Sequence, residues 1–127
     1  MKRINISSGV IWEETVGYSR AVMIGNIIEI SGTTAVVNGE IVGKDDPYLQ
    51  TVTILEKIKS TLNELGASLN DVIRTRMFVT DISRWKDFAK AHQEYFGKIK
   101  PATSMIEVKS LIDPAMLIEI EVTAIKE

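Results

Sequence analysis

The sequence predicts a single α+β domain, a six-stranded, mostly antiparallel sheet with two helices packed on one face. Three observations carry this. Two helical stripes of apolar residues are separated by a strand, the last segment alternates apolar and polar side chains, and the order β-β, α, β, α, β-β runs without a linker or composition shift. At 127 residues and 14.1 kDa the chain has the size of one domain.

Residues 16 to 34 read as a hairpin. Val22 and Ile24 lead into Gly25-Asn26, a pair that tolerates the positive φ of a tight turn, and Ile27-Ile28-Glu29-Ile30-Ser31 returns rich in β-branched residues. A smaller hairpin follows, with Asn38-Gly39 turning between Val36-Val37 and Ile41-Val42. Asp46 as N-cap and Pro47 at the first helical position then open a helix. Val52, Leu55, Ile58, Leu62 and Leu65 form its apolar stripe, and Gly66 ends it.

Asp71 to Thr80 reads as a strand in which Ile73, Thr75, Met77 and Val79 alternate with Arg74, Arg76, Phe78 and Thr80. A second helix runs from about Ser83 to Phe96, with Trp85, Phe88, His92 and Phe96 on one face and Gly97 past its end. Ser104 to Lys109 and Leu117 to Ile125 close the sheet.

In the last strand, Ile118, Ile120, Val122 and Ala124 belong under the helices, so Glu119 and Glu121 point the other way. The same sorting puts Arg74 and Arg76 on that open face, and places Met105, Glu107 and Lys109 there with Ser104, Ile106 and Val108 towards the core. An open face mixing Phe78, Met105 and Leu117 with Arg and Glu pairs is either a solvated surface or a face buried by oligomerisation.

Composition narrows the function. Apolar residues at 45% and charged ones at 25% argue for an ordinary globular chain and against disorder. No apolar run approaches the ~18–20 residues of a membrane span, so no membrane is expected. Met1 to Ser8 lacks the apolar core of a signal peptide, and the expected location is cytoplasmic. Zero cysteines exclude a disulfide scaffold, a thiolate zinc site and a cysteine nucleophile. Fifteen Lys and Arg against 17 Asp and Glu leave a net charge of -2, which argues against a nucleic-acid partner. Neither a phosphate-binding glycine loop nor a histidine cluster is present, so no metal and no organic cofactor is expected.

Several segments together resemble the YjgF/RidA (endoribonuclease L-PSP-like) family: Gly17-Tyr18-Ser19-Arg20, Gly25 to Gly32, the Gln50-to-Leu65 helix, Asp71 to Thr75 and Phe78 to Asp81. Phe96-Gly97, Pro101-Ala102-Thr103-Ser104 and Ile118-Glu119-Ile120-Glu121 continue the match in order over nearly the whole chain. The resemblance implies a chorismate-mutase-like fold and a homotrimer whose central barrel is built from the helix-free sheet faces. It also implies a small-molecule site between subunits that hydrolyses reactive enamines and imines to 2-keto acids and ammonia. By motif, Glu119 positions the attacking water, and Tyr18 and Ser31 shape the pocket.

The family's carboxylate-holding arginine, in Pro-Ala-Arg-Ser, is replaced here by Thr103. A threonine hydroxyl carries no charge, and losing a bidentate contact costs about 2–5 kcal/mol on the scale of truncated charge pairs. The resemblance therefore implies a branch with an altered substrate. Arg76, on the face of Glu119, is a candidate relocated clamp, or else neutralises Glu119 or Glu121 within the trimer; Arg20 and Arg74 are further candidates. His92, the one histidine, reads as a core-edge residue. Three functions stay open: a deaminase-type hydrolase, a trimer that binds a metabolite without turning it over, and an endoribonuclease or translation inhibitor, which the net charge disfavours.

Overall fold

A computed structural model describes Met1–Glu127. Six strands form one mixed sheet in the order β1-β2-β3-β8-β6-β7: β1 (Arg3–Ile6), β2 (Ala21–Ile24), β3 (Ile27–Thr33), β6 (Val72–Val79), β7 (Ala102–Glu107) and β8 (Ile118–Ile125). A two-stranded ribbon, β4 (Val36–Val37) and β5 (Glu40–Ile41), stands apart. Helices α2 (Pro47–Glu64) and α3 (Trp85–Phe96) pack on each other and cover one face, and a short α1 (Ile11–Val16) joins β1 to β2. All pairings in the main sheet are antiparallel except β6 with β7.

Local chemistry explains most of this. Gly25 turns the β2–β3 hairpin at φ 59°, and Asn38 at φ 52° with Gly39 at φ 80° turns β4 into β5. The Asp46 carboxylate accepts the Leu49 amide at 3.0 Å as the N-cap of α2, with Pro47 behind it. Ile54, Leu55, Ile58 and Leu62 of α2 are fully buried against Ile118, Ile120, Val122 and Ala124 of β8 and Ile28 of β3. Each such aliphatic chain contributes about 1.5–3 kcal/mol, so truncating one to alanine is the single change that hurts this core most.

Gln50 is fully buried on the same helix. Its amide donates to the Gly43 carbonyl at 3.0 Å and the Ala115 carbonyl at 2.9 Å, and its carbonyl oxygen accepts the Leu117 amide at 2.9 Å.

Four expectations are corrected, and two elements had no expectation. The α2 stripe is rotated so that Thr51 and Ile54, not Val52, face the sheet; the Thr51 hydroxyl can be buried because it donates to the Pro47 carbonyl at 2.7 Å. Ile73 is 47% exposed, since a bulge between Val72 and Arg74 gives its place in the core to Val72. Trp85, the first residue of α3, is exposed. Strand β7 covers Ala102–Glu107 rather than Ser104 to Lys109, and its faces are reversed: Thr103 and Met105 stand beside Thr75 and Met77 on the helix side. A short edge strand with no polar–apolar alternation holds no register signal, so its pairing is set by the partner strand. Finally, β1 and α1 carry no sequence signal strong enough to have been read.

Candidate functional site

The feature that builds the site is a bulge. Between Ile30 and Thr33 the register against β8 slips, so that β3 spends one extra residue at Ser31-Gly32 directly beside Glu119 and Glu121. A Cβ on Gly32 would lie 2.5 Å from Glu119 Oε2 and 2.7 Å from its Cδ; only glycine lets the carboxylate settle there.

Glu119 itself is half-buried. Burial raises its carboxyl above the ordinary range, the like charge of Glu121 adds to this, and Arg20 pulls part of it back. No ion pair forms at Glu119: the one ion pair in the chain joins Arg84 to Asp45 at 2.9 Å.

Arg20 leads into β2 on the other side of the same glycine. One Nη donates to the Gly32 carbonyl at 2.6 Å, while Nε is buried without a partner. Burial holds the guanidinium below its usual range, opposed by Tyr18, Glu13 and Glu119. Arg20 and Glu119 thus flank the same glycine and sense each other's charge without closing into a salt bridge. Lys57 of α2 also lies near Arg20; its ammonium donates to the Thr34 and Val36 carbonyls at 2.7 and 2.8 Å, and burial followed by the Arg20 charge brings it down to about 8.

Of the residues singled out from sequence, Ser31 and Glu119 stand at this bulge, and Tyr18, half-buried, lies near enough to Arg20 to act on its charge. The Ser31 hydroxyl donates to the Ser19 carbonyl at 2.6 Å and lines a cavity of about 250 Å³ on the open face with Glu29, Glu121 and Arg76. Arg76 stands opposite Glu121 in the sheet but is not ion-paired to it. Arg74 is the second open-face arginine, weakly bonded to Ser104 at 3.5 Å.

Thr103 is placed elsewhere. It faces the helix side of the edge strand, whereas Glu119 points from the opposite face. There it lines a groove of about 470 Å³ between α3 and β7. Thr75 Oγ1, fully buried, lies 2.8 Å from Thr103 Oγ1 and 2.9 Å from His92 Nε2. Burial lowers the His92 pKa and keeps the ring neutral near pH 7.

Sequence reasoning left out of the site Arg20's pairing with the Gly32 carbonyl and Lys57's place beside it. Serine-glycine next to a strand end hints at a bulge, but nothing in the sequence shows which arginine it will hold. No group of three His, Asp or Glu side chains gathers as a metal site, and no helix is long and apolar enough to cross a membrane.

Comparison with known proteins agrees with this architecture. The family model described as endoribonuclease L-PSP matches residues 12–126. A crystal structure of a YjgF/YER057c/UK114 family member from Mycobacterium tuberculosis is 47% identical, covers 98% of this chain and 99% of its own, and superposes with a TM-score of 0.89. A RutC family protein of Pyrococcus abyssi is 40% identical over 112 residues, 87% of either chain. The 3-aminoacrylate deaminase RutC of Acinetobacter baylyi is 34% identical over 104 residues, 81% of this chain and 82% of that one.

Proposed function

We propose that this chain, which belongs to the endoribonuclease L-PSP family, is a homotrimeric deaminase that hydrolyses a small enamine or imine to a carbonyl compound and ammonia. The observation that carries the reading is the Glu119 carboxylate, half-buried, free of any ion pair and seated on Gly32 with Arg20 across from it. A relative named as a 3-aminoacrylate deaminase supports the reaction class.

In this reading an enamine takes a proton from water at carbon to give the iminium ion, leaving hydroxide. Water then adds to the C=N carbon while its proton passes to Glu119, giving a neutral carbinolamine. Glu119 returns that proton to nitrogen, the C–N bond breaks, and ammonia leaves as the C=O forms, the hydroxyl proton passing to Glu119 and from there to the hydroxide. A carboxyl raised towards neutrality suits a group that takes and then returns one proton. Tyr18 and Ser31 shape the pocket, and Arg20 holds the substrate's carboxylate through its free N–H groups. Arg76 lines the open-face cavity with Ser31 and Glu121 and adds positive charge to that face. The open face, with Phe78, Ile106 and five charged side chains (Glu29, Arg74, Arg76, Glu119 and Glu121) but no ion pair among them, suits burial by three copies around a central barrel with the sites between subunits. Thr103, uncharged and turned to the helix side, is not given the clamp.

A trimer that binds a metabolite without turnover is the second reading, and the loss of charge at Thr103 favours it. An RNA-cleaving role finds little support, because the Nε2 of the one histidine is tied to the buried Thr75 hydroxyl on the helix side and the chain carries a net charge of -2.

The test is a coupled assay in which threonine dehydratase generates 2-iminobutanoate and 2-ketobutyrate formation is followed. Acceleration by the protein that vanishes in Glu119→Gln is expected; no acceleration overturns the deaminase reading. Sedimentation at the mass of three 14.1 kDa chains checks the assembly.

A further inference from the structure

Lys57 is a cation held by backbone carbonyls and by no carboxylate. It reaches from α2 to the segment leaving β3, where its ammonium donates to the Thr34 carbonyl at 2.7 Å and the Val36 carbonyl at 2.8 Å. One nitrogen can serve both only because the chain bends at Ala35; in a straight strand alternate carbonyls lie about 6.5 Å apart. Two residues earlier, the Gly32 carbonyl takes the Arg20 guanidinium at 2.6 Å. Three alternate carbonyls thus hold two neighbouring cations, and neither cation has an ion-pair partner.

This arrangement suits a nucleophile. An ammonium has three protons, and the two carbonyls use two of those on Lys57. A neutral amine keeps two protons and gains a lone pair, so Lys57 can lose its third proton and break neither bond. Burial and the charge of Arg20 favour that loss and bring the group down to about 8, as they do for amines that attack carbonyl carbons. Arg20 keeps its other N–H groups unspent, among them the buried Nε.

We propose that Lys57 forms a Schiff base with small 2-oxo acids, Arg20 holding the acid's carboxylate while Nζ attacks its carbonyl carbon. The amine adds to the C=O carbon and a proton passes from nitrogen to oxygen. The hydroxyl so formed takes one proton from solvent and leaves as water, and a protonated C=N remains on Lys57. The proposal rests on the deaminase reading only for Arg20 as the carboxylate holder, and needs neither turnover nor Glu119.

Glyoxylate with cyanoborohydride tests it, since hydride fixes a Schiff base as a secondary amine that peptide mass spectrometry locates. At neutral pH Lys57 should be labelled at least about tenfold faster than the exposed Lys44, Lys59 and Lys90, a lead that unfolding in urea should erase. Arg20→Met should slow labelling by glyoxylate at least about threefold more than labelling by uncharged glycolaldehyde. Labelling of Lys57 no faster than of the exposed lysines overturns the proposal, whatever the coupled assay shows. Equal slowing with both aldehydes removes Arg20 from it. Fast labelling in a protein that fails the coupled assay upholds the Schiff base and sinks the deaminase reading instead.

Discussion

On one face of the sheet, Arg20 keeps a buried Nε without a partner and Glu119 keeps a half-buried carboxylate without an ion pair. On the other, Thr75, His92 and Thr103 use their protons among themselves, and the central hydroxyl is fully sealed. Both clusters are polar groups held on or beside interior strands of the sheet, yet their hydrogen-bond accounts differ. The first carries unmet hydrogen-bonding capacity at a cost to stability; the second is satisfied and stiffens the fold. A site that must engage a substrate keeps donors and acceptors in reserve, and such a reserve is visible as an orphan in the free protein.

This contrast can be broken most sharply at Glu119. Glu119→Gln keeps shape and removes the base, so turnover should fall by about 10²–10⁴-fold while the urea midpoint holds or rises. Undiminished turnover would move the chemistry away from the bulge. Arg20→Met comes next. For a carboxylate-bearing substrate, kcat/KM should drop by about 30-fold or more, on the scale of a truncated charge pair. Stability should change by no more than about 1 kcal/mol, because removing the unpartnered buried Nε offsets the lost bond to the Gly32 carbonyl. Lysine at this position should fail to restore the rate, having lost the guanidinium's fork.

Thr75→Val should show the opposite face of the comparison, a loss of about 1–3 kcal/mol in urea unfolding as His92 and Thr103 lose their shared partner. A neutral result there would mean that water replaces the hydroxyl and that the second cluster is less sealed than it looks.

A finer test uses pH. The acid limb of kcat/KM should lie above the ordinary carboxylate range, and Glu121→Gln should move it to lower pH by removing the like charge. An unmoved limb would separate the two glutamates. The smallest effect belongs to Lys57. Its folded pKa, about 8, lies below the ordinary 10.5, so between those values the unfolded chain carries more protons and stability should rise with pH. Lys57→Arg should keep the bonds to Thr34 and Val36 and flatten that slope in denaturant titrations.

What could be read from the sequence follows the strength of its periodicity. The alternation in β8 located its core face and both glutamates because four fully buried apolar residues leave no other solution. The N-cap and proline placed the start of α2 to the residue. Strand β7 was turned over because Ala102–Glu107 offers similar side chains to both faces. Of the site, Tyr18, Ser31 and Glu119 were legible as motif residues. Arg20 stood only as one of three candidate arginines, since what singles it out is a one-residue bulge that no local propensity encodes, and Ile73 was lost to a second bulge for the same reason.

Gln50 has a consequence for how the molecule opens. It ties the Gly43 turn, the Ala115 loop and the first amide before β8 to one buried side chain, across up to 67 residues of sequence. These three surface segments therefore cannot come loose one at a time. They exchange their amide hydrogens with solvent together, as one unit of local unfolding, and the Leu117 amide, bonded to a side chain rather than to a neighbouring strand, is the built-in reporter of that event. Because Leu117 stands two residues before Glu119, its protection measures how often the strand that holds the Glu119 carboxylate is unclamped at its root.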